Sequence, residues 1–469
     1  MQEEDSYKPE AFRDTIASVH QDGKRKWVYA VMPKGKFYNW RKILATFYLL
    51  LFFTLPLIQY KGKPYFMVNV VDGEFILFGN IFWPQDFIVF AIGMLIMIVF
   101  VILFTVIYGR IFCGWVCPQT IFMEFVFRKV EWWIEGSPQQ QIQLKNSPWT
   151  TKKIFKKVLK HTIFLVFSFL IAHTFLSYIL GIKEVGKIVS HPISENPALF
   201  VGLVFFALLF YGVFAFVRDI VCTTVCPYGR LQGVLFDKNT MQISYDYNRG
   251  EPRGFLKKNQ VTTEVKGDCI DCRKCVNVCP TGIDIRNGVQ MECVGCTACI
   301  DACDEVMFKI NRPLGLIRYA SENELQKKVK FVFDNRIKAY TVILSILIIL
   351  MGYLIMSSKH IDMIITKTSG STFQEHDGVI SNIYNGKLFN KTNKLLNIEI
   401  KVENMNGKVN IIGNKVHTAK EEAITDFIFM VDVPTDDVKE RANEIIFGLY
   451  VDGKKIETIK SKFLGPFSF

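Results

Sequence analysis

The sequence predicts a multi-domain membrane protein: an α-helical transmembrane bundle of five spans with two hairpin repeats, an inserted cysteine-rich α+β domain, and a C-terminal all-β, immunoglobulin-like sandwich. Three observations predict it. Half of the 469 residues are hydrophobic and only 21% are charged, below the roughly 25% usual in soluble domains. Almost uncharged apolar runs recur at 43–60, 87–108, 162–182, 198–217 and 339–356, each close to the roughly 20 residues that cross a hydrocarbon core. All 12 cysteines lie in short clusters between Cys113 and Cys303, and none follows the last apolar run.

Residues 1–39 form a polar, charged lead with no apolar stretch before Ile43, so no secretory signal peptide is expected. Residues 40–235 then form the membrane domain, 236–335 the cysteine-rich domain, 336–358 the fifth span and 359–469 the sandwich. Lys and Arg set the orientation. The lead holds Lys24, Arg25, Lys26, Lys34, Lys36, Arg41 and Lys42, and the loop after the second span is equally basic, whereas 61–86 and 183–197 carry few cations. The lead, that loop and 218–338 are therefore expected in the cytoplasm, and the chain beyond residue 360 outside. The excess of 56 Lys and Arg over 44 Asp and Glu, a formal +12, fits contact with anionic lipid and not nucleic acid: KKIFKKVLK (152–160), Lys257 and Lys258 read as lipid-facing topology determinants.

A weak repeat links the two hairpins. The second span runs into GRIFCGWVCPQTIFMEFVF and the fourth into VRDIVCTTVCPYGRLQGVLF, pairing Cys113 with Cys222, Cys117 with Cys226 and Pro118 with Pro227. The cysteine spacing places both sulfurs on one helical face, or else each proline opens a new helix with Cys117 and Cys226 at its N-terminus, where thiolate is favoured. Two such pairs could converge on one four-sulfur site for a soft metal, Cu(I), zinc or iron–sulfur; buried apolar cysteines or a structural dithiol are the plainer alternative.

The strongest signal is GDCIDCRKCVNVCPTG followed by MECVGCTACIDACDE. The spacing C-x2-C-x2-C-x3-C occurs twice, with Asp304 where the first run has proline. In bacterial two-cluster ferredoxins the fourth cysteine of each run ligates the other cluster. Two [4Fe-4S] cubanes are therefore expected, one on Cys269, Cys272, Cys275 and Cys303, the other on Cys279, Cys293, Cys296 and Cys299. Zinc held by C-x2-C pairs is the alternative.

Of the histidines, His173 lies within the third span, where a polar ring is a candidate haem ligand or quinone contact. Trp27, Trp40, Trp83, Trp132, Trp133 and Trp149 flank spans as an interfacial belt would. PQTIFMEFVFRKVEWWI (118–134) reads as an amphipathic helix on the membrane surface. After residue 360, segments such as LNIEIKVENMNG, AITDFIFMVDVP and NEIIFGLYVDG alternate apolar and polar residues between turns, as strands of a sandwich do.

With CGWVCPQT, CTTVCPYGR, CIDCRKCVNVCP, CVGCTACIDAC and the tail in this order, the chain resembles the cytochrome c oxidase accessory protein family (CcoG, FixG, RdxA). The resemblance covers nearly the whole chain. It implies a protein of the bacterial inner membrane that reduces Cu(II) to Cu(I) for assembly of a cbb-type oxidase, with Cys113, Cys117, Cys222 and Cys226 as the copper or electron-exit site. Implied partners are copper ions, a copper-transporting ATPase or oxidase assembly factors, membrane lipid and an electron donor with no residue signature. A conduit between quinol and a soluble redox partner, or a redox-sensing docking scaffold, are the competing functions.

Overall fold

The computed structural model describes residues 26–60, 63–69, 73–77, 80–82, 87–191, 197–255, 266–328, 332–357, 361–368, 370, 372–376, 378–392, 395–412, 418–421, 423–451 and 453–466. The expectations for Lys24, Arg25, Trp83, Lys257 and Lys258 fall outside them. The chain forms two compact units, Met1–Met351 and Gly352–Phe469.

Among the described residues five helices are long and apolar enough to cross a membrane: Lys36–Leu57, Ile88–Tyr108, Thr151–Leu180, Pro197–Val217 and Asn335–Ser357. They lie within or extend α1 (Lys36–Thr54), α2 (Phe87–Tyr108), and, further along, α7 (Thr151–Leu180), α9 (Pro197–Gly212) and α15 (Asn335–Ser357). The first and third start well before the apolar runs at 43 and 162 because their leading cations have partners inside the protein. Arg41, 1% exposed, donates from Nε to the Gly114 carbonyl at 3.0 Å, and the Lys153 ammonium, near the start of the third, donates to the Lys145 carbonyl at 2.9 Å.

Between α1 and α2 lie β1 (Gln59–Tyr60) paired with β2 (Lys63–Pro64), and a small antiparallel sheet of β3 (Phe66–Asn69), β4 (Glu74–Leu77) and β5 (Asn80–Phe82). The first hairpin repeat continues from α2 through α3 (Ile111–Trp115), α4 (Pro118–Phe122), a π-helical turn at Met123–Phe127 and α5 (Arg128–Ile134). After α6 (Pro138–Asn146), α7 (Thr151–Leu180) and α8 (Ile182–Ser190), the second repeat has the same plan: α9 (Pro197–Gly212), π-helical turns at Val213–Val217 and Val221–Val225, then α10 (Pro227–Leu235). The Phe127 ring stacks on Phe214 with centroids 4.4 Å apart and meets Phe164 at 4.9 Å, joining both repeats to α7.

Residues 118–134 are not a surface helix. Ile121, Phe122, Met123, Phe125 and Phe127 are buried, and so are the charges Glu124, Arg128 and Glu131. Arg128 reaches Glu124 at 2.8 Å and Asp219 at 3.0 Å, Arg218 pairs with Glu131, and Lys160 with Glu131 at 3.4 Å and Glu135 at 3.0 Å. Charges buried in pairs cost far less than charges buried singly, so a segment read as amphipathic is instead a core helix carrying an ion network. The same network corrects the lysine run: Lys160 is a buried counter-ion, and Lys153 donates to the Lys145 carbonyl at 2.9 Å, so neither faces lipid. Trp40, Trp133 and Trp149 are exposed, whereas Trp27 lies under the Arg218 guanidinium at 4.5 Å and Trp132 donates to the Ala30 carbonyl.

The cysteine-rich domain follows, with β6 (Gln242–Tyr245), α11 (Tyr247–Gly250), α12 (Lys274–Asn277), α13 (Ala298–Lys309), β7 (Ile317–Ala320) and α14 (Glu322–Lys327) before α15 (Asn335–Ser357). β6 and β7 pair antiparallel from Gln242 opposite Ala320 to Tyr245 opposite Ile317.

In the second unit, β12 (Lys408–Ile412), β14 (Ala423–Pro434), β10 (Val379–Asn390) and β8 (Ile361–Lys367) form one antiparallel sheet, with β9 (Gln374–His376) added to β10. β13 (Thr418–Ala419), β11 (Leu396–Val402), β15 (Ala442–Val451) and β16 (Lys454–Leu464) form the other. Their inner faces share one core in which Tyr384, Phe429, Phe447 and Phe463 are fully buried. β10 is poorly legible from sequence because it carries Asn382, Gly386 and Asn390. Buried Asn382 fits by donating to the Leu464 carbonyl at 2.8 Å.

Candidate iron–sulfur and electron-exit site

The two cysteine runs fold as near copies. In each C-x2-C loop the residue after the second cysteine takes a left-handed conformation, Arg273 at φ 53° and Thr297 at φ 61°, and so turns the loop into α12 or α13. The helices carry Cys275 and Cys299 inward, both buried.

Two cavities result. One is lined by Cys269, Cys272, Cys275 and Cys303 against Tyr245, Leu316 and Ile317. The other is lined by Cys279, Cys293, Cys296 and Cys299, with Cys275 on the shared wall, against Ile243, Ile283 and Ile285. The distant fourth cysteine of each run thus sits in the cavity of the other run. Four thiols around an apolar box fit an iron–sulfur cluster, whose ligands are thiolates.

Burial pushes the thiols up: Cys275 and Cys303 to about 12, Cys293 to about 11, and Cys299 well above its ordinary value. They are therefore neutral until metal displaces their protons, so loading releases protons. Hydrogen bonds act against burial at Cys279, where Thr281, through its hydroxyl at 3.3 Å and its N–H, and the Ile283 and Gly282 N–H groups reach the sulfur. Asp304, in place of proline, accepts the Gly315 N–H at 2.8 Å and ties the end of the second run to the approach to β7.

The hairpin cysteines adopt the second of the two geometries that the spacing allowed. Cys117 is the N-cap of α4 and Cys226 of α10, with Pro118 and Pro227 at the first helical positions. The Thr120 and Gln119 N–H groups reach the Cys117 sulfur, yet burial outweighs them and raises that thiol, so the helix terminus alone does not make a thiolate. Burial raises Cys113 to about 11 and Cys222 further, with Cys117 adding to both.

This quartet lies against the cysteine-rich domain. Cys113 and Cys222 pack on the core that contains Cys269, Cys275, Cys296 and Cys299. A Cβ on Gly114 would stand 2.7 Å from the Gly295 carbonyl, between Cys293 and Cys296. Arg110 donates to the Gly229 carbonyl at 2.5 Å and to the Met291 carbonyl, joining both hairpins to the second cavity's loop. Asp301, on α13, accepts the Phe37 and Tyr38 N–H groups at 3.1 and 2.8 Å, capping α1 across more than 260 residues of chain. Gly114→Ala is expected to cost about 1–3 kcal/mol through overpacking, read as a lower unfolding temperature of the iron-loaded protein.

Sequence reasoning missed Arg110, Gly114, Asp219 and Asp301, whose roles exist only across long chain separations. The Glu124/Arg128 spacing of four in an apolar run was the one available signal. His173 turns Nδ1 to the Phe169 carbonyl of its own helix at 2.7 Å, and its ring lies tilted against that of Phe169 with centroids 3.6 Å apart.

Comparison with known proteins agrees with this geometry. The family model described as "4Fe-4S dicluster domain" matches residues 217–322, one described as "4Fe-4S binding domain" matches 90–136, and "IG-like fold at C-terminal of FixG" matches 351–466. The chain is 32% identical to RdxB of Cereibacter sphaeroides over 81% of this chain and 82% of that one. It is 34% identical to RdxA of the same organism over 69% and 70%, and 32% identical to the nitrogen fixation protein FixG of Rhizobium meliloti over 64% and 58%. With five apolar helices, a dicluster region and the FixG-type sandwich on one chain, the protein belongs to the FixG/RdxA family of membrane iron–sulfur electron-transfer proteins.

Proposed function

We propose that the protein moves single electrons from a soluble donor to Cu(II), releasing Cu(I) for assembly of a cbb-type oxidase through a copper-transporting ATPase or assembly factors. The observation that carries this reading is the contiguity of the three sulfur groups: two cavities share Cys275, and the second abuts the hairpin quartet. When bound in those cavities, cubanes accept and release one electron each. Cys272, the exposed member of the octet, marks the entry edge. Cys113, Cys117, Cys222 and Cys226 mark the exit. Each Cu(II) takes one electron and no proton, and soft sulfur favours the Cu(I) product. The distribution of Lys and Arg supports an octet in the cytoplasm and a sandwich outside.

The test is anaerobic: reduced full-length protein mixed with Cu(II) and a Cu(I)-specific chelator should form Cu(I) in step with cluster reoxidation. Equal Cu(I) formation by protein stripped of iron would overturn the reading.

One observation favours a second reading, electron exchange with quinol. His161 and Tyr211, hydrogen-bonded at 2.8 Å, line an open surface groove with Lys157 and Leu165. Reduction of the clusters by a quinol, lost in His161→Leu, would support it.

A further inference from the structure

The hairpin quartet contains more order than an exit for electrons requires. We propose that Cys113, Cys117, Cys222 and Cys226 together hold a third [4Fe-4S] cluster, each hairpin repeat supplying two of its four ligands. This deepens the electron-exit reading of the quartet and rests on it.

The first argument is arithmetic. The segment 90–136 matches a 4Fe-4S binding domain, yet its only cysteines are Cys113 and Cys117. A [4Fe-4S] cluster is held by four cysteines, so half of the ligands must come from elsewhere. The second hairpin repeats the spacing and the proline, with Cys222 and Cys226 at equivalent positions.

The second argument is geometric. The two halves meet at these residues. The Thr120 side chain, from the first hairpin, lies within reach of both Cys117 and, across the repeat, Cys222. Cys113 lies 3.5 Å from Gln232 Oε1 on α10, the helix that Cys226 caps. Cys226 lies near enough to Cys113 and Cys117, and Cys222 to Cys113 and Cys117, for a charge on one sulfur to act on the next. Gly229, one turn into α10, leaves no room for a Cβ, which would stand 2.5 Å from the Cys222 carbonyl; this holds the second pair tightly beside the helix start.

The third argument is kinship with the octet. Backbone N–H groups reach Cys117 from Gln119 and Thr120 much as they reach Cys293 from Gly295 and Cys296 from Ala298. Hydrogen bonds to sulfur are one of the protein's means of setting a cluster's potential. Packed on the second cavity's loop through Gly114 and Gly295, a third centre would extend the same row of one-electron carriers to the membrane helices.

The experiment is a metal and sulfide count on anaerobically purified full-length protein, with paramagnetic resonance of the reduced sample. The inference expects about 12 iron and about 12 acid-labile sulfide per chain, against about 8 of each for the octet alone. Replacing all four hairpin cysteines by serine should remove about 4 iron and leave the octet's signals. Should that variant fail to fold, the wild type gives an independent reading: under non-denaturing conditions the four hairpin thiols should resist alkylation, and become reactive when iron is chelated. About 8 iron with four reactive thiols overturns the inference while leaving the octet as an electron carrier. The same holds for about 8 iron with one bound zinc or copper that the serine variant loses. Iron near zero overturns both this inference and the function on which it rests.

Discussion

Replacing Cys299 by serine should remove the iron of the second cavity, about 4 atoms per chain, and loosen much of the cysteine-rich domain with it. Cys299 sits at the start of α13, buried in a core whose other members include Cys269, Cys275, Cys296, Ile243, Ile285 and Ile317. That core is built around its sulfurs, so the free energy of cluster binding is part of the free energy of folding. Loss should spread along α13 to Asp301, which caps α1 through Phe37 and Tyr38. Hydrogen exchange of the full-length protein reads this directly: amides 269–303, together with those of Phe37 and Tyr38, should lose protection. Amides of the second unit should keep theirs, because its core contains no cysteine. Unchanged exchange at Phe37 and Tyr38 would show that the cap does not depend on the cluster. On the proposed function, Cu(I) formation should fall with the iron.

The second large effect concerns the buried ion network. Arg128→Met leaves Glu124 and Asp219, bonded to it at 2.8 and 3.0 Å, without their shared counter-ion, although Arg41 remains 3.5 Å from Glu124. Removing one partner of a buried pair costs about 3–5 kcal/mol because a charge is left uncompensated. Adding Glu124→Gln should recover part of that loss, and the double-mutant cycle measures how much. The network also fixes a pH dependence. Burial alone would raise the Glu131 carboxyl, but Arg218, Lys160 and Arg128 outweigh it and hold the group below its ordinary range. A depressed carboxylate contributes stability that is full above its unfolded pKa and lost as pH falls through the folded value. With Arg128 gone the depression shrinks, so acid destabilisation of detergent-solubilised Arg128→Met should begin at higher pH than in the wild type. Coincident acid-unfolding curves would exclude a contribution of Arg128 to the Glu131 charge.

These two sites differ in how far the sequence discloses them. The octet is legible because a cluster demands several thiolates from one short loop, and local spacing records that demand. The swap of fourth cysteines is legible for the same reason, since the chain repeats the run. Residues 118–134 mislead because apolar and charged residues mix in the same way whether a helix lies on a membrane or is buried with its charges paired. Partners distant in the chain distinguish the two, Arg218 for Glu131 and, more than 90 residues away from Arg128, Asp219. β10 is obscured by its asparagines, whose partners lie on other strands.

Composition, apolar run length and cysteine spacing by themselves determined a multi-span membrane protein with a dicluster region and a β-sandwich, because each depends on local chemistry: transfer of about 20 residues into hydrocarbon, thiolate ligation, and the two-residue period of strands. Tertiary structure alone decided that Asp301 caps α1, that Arg110 and Gly114 seat the hairpins on the second cavity, and that the four hairpin cysteines share one neighbourhood. Such contacts join residues far apart in the chain, and no spacing rule constrains them; they exist only once the backbone has folded and buried charge and sulfur have found partners.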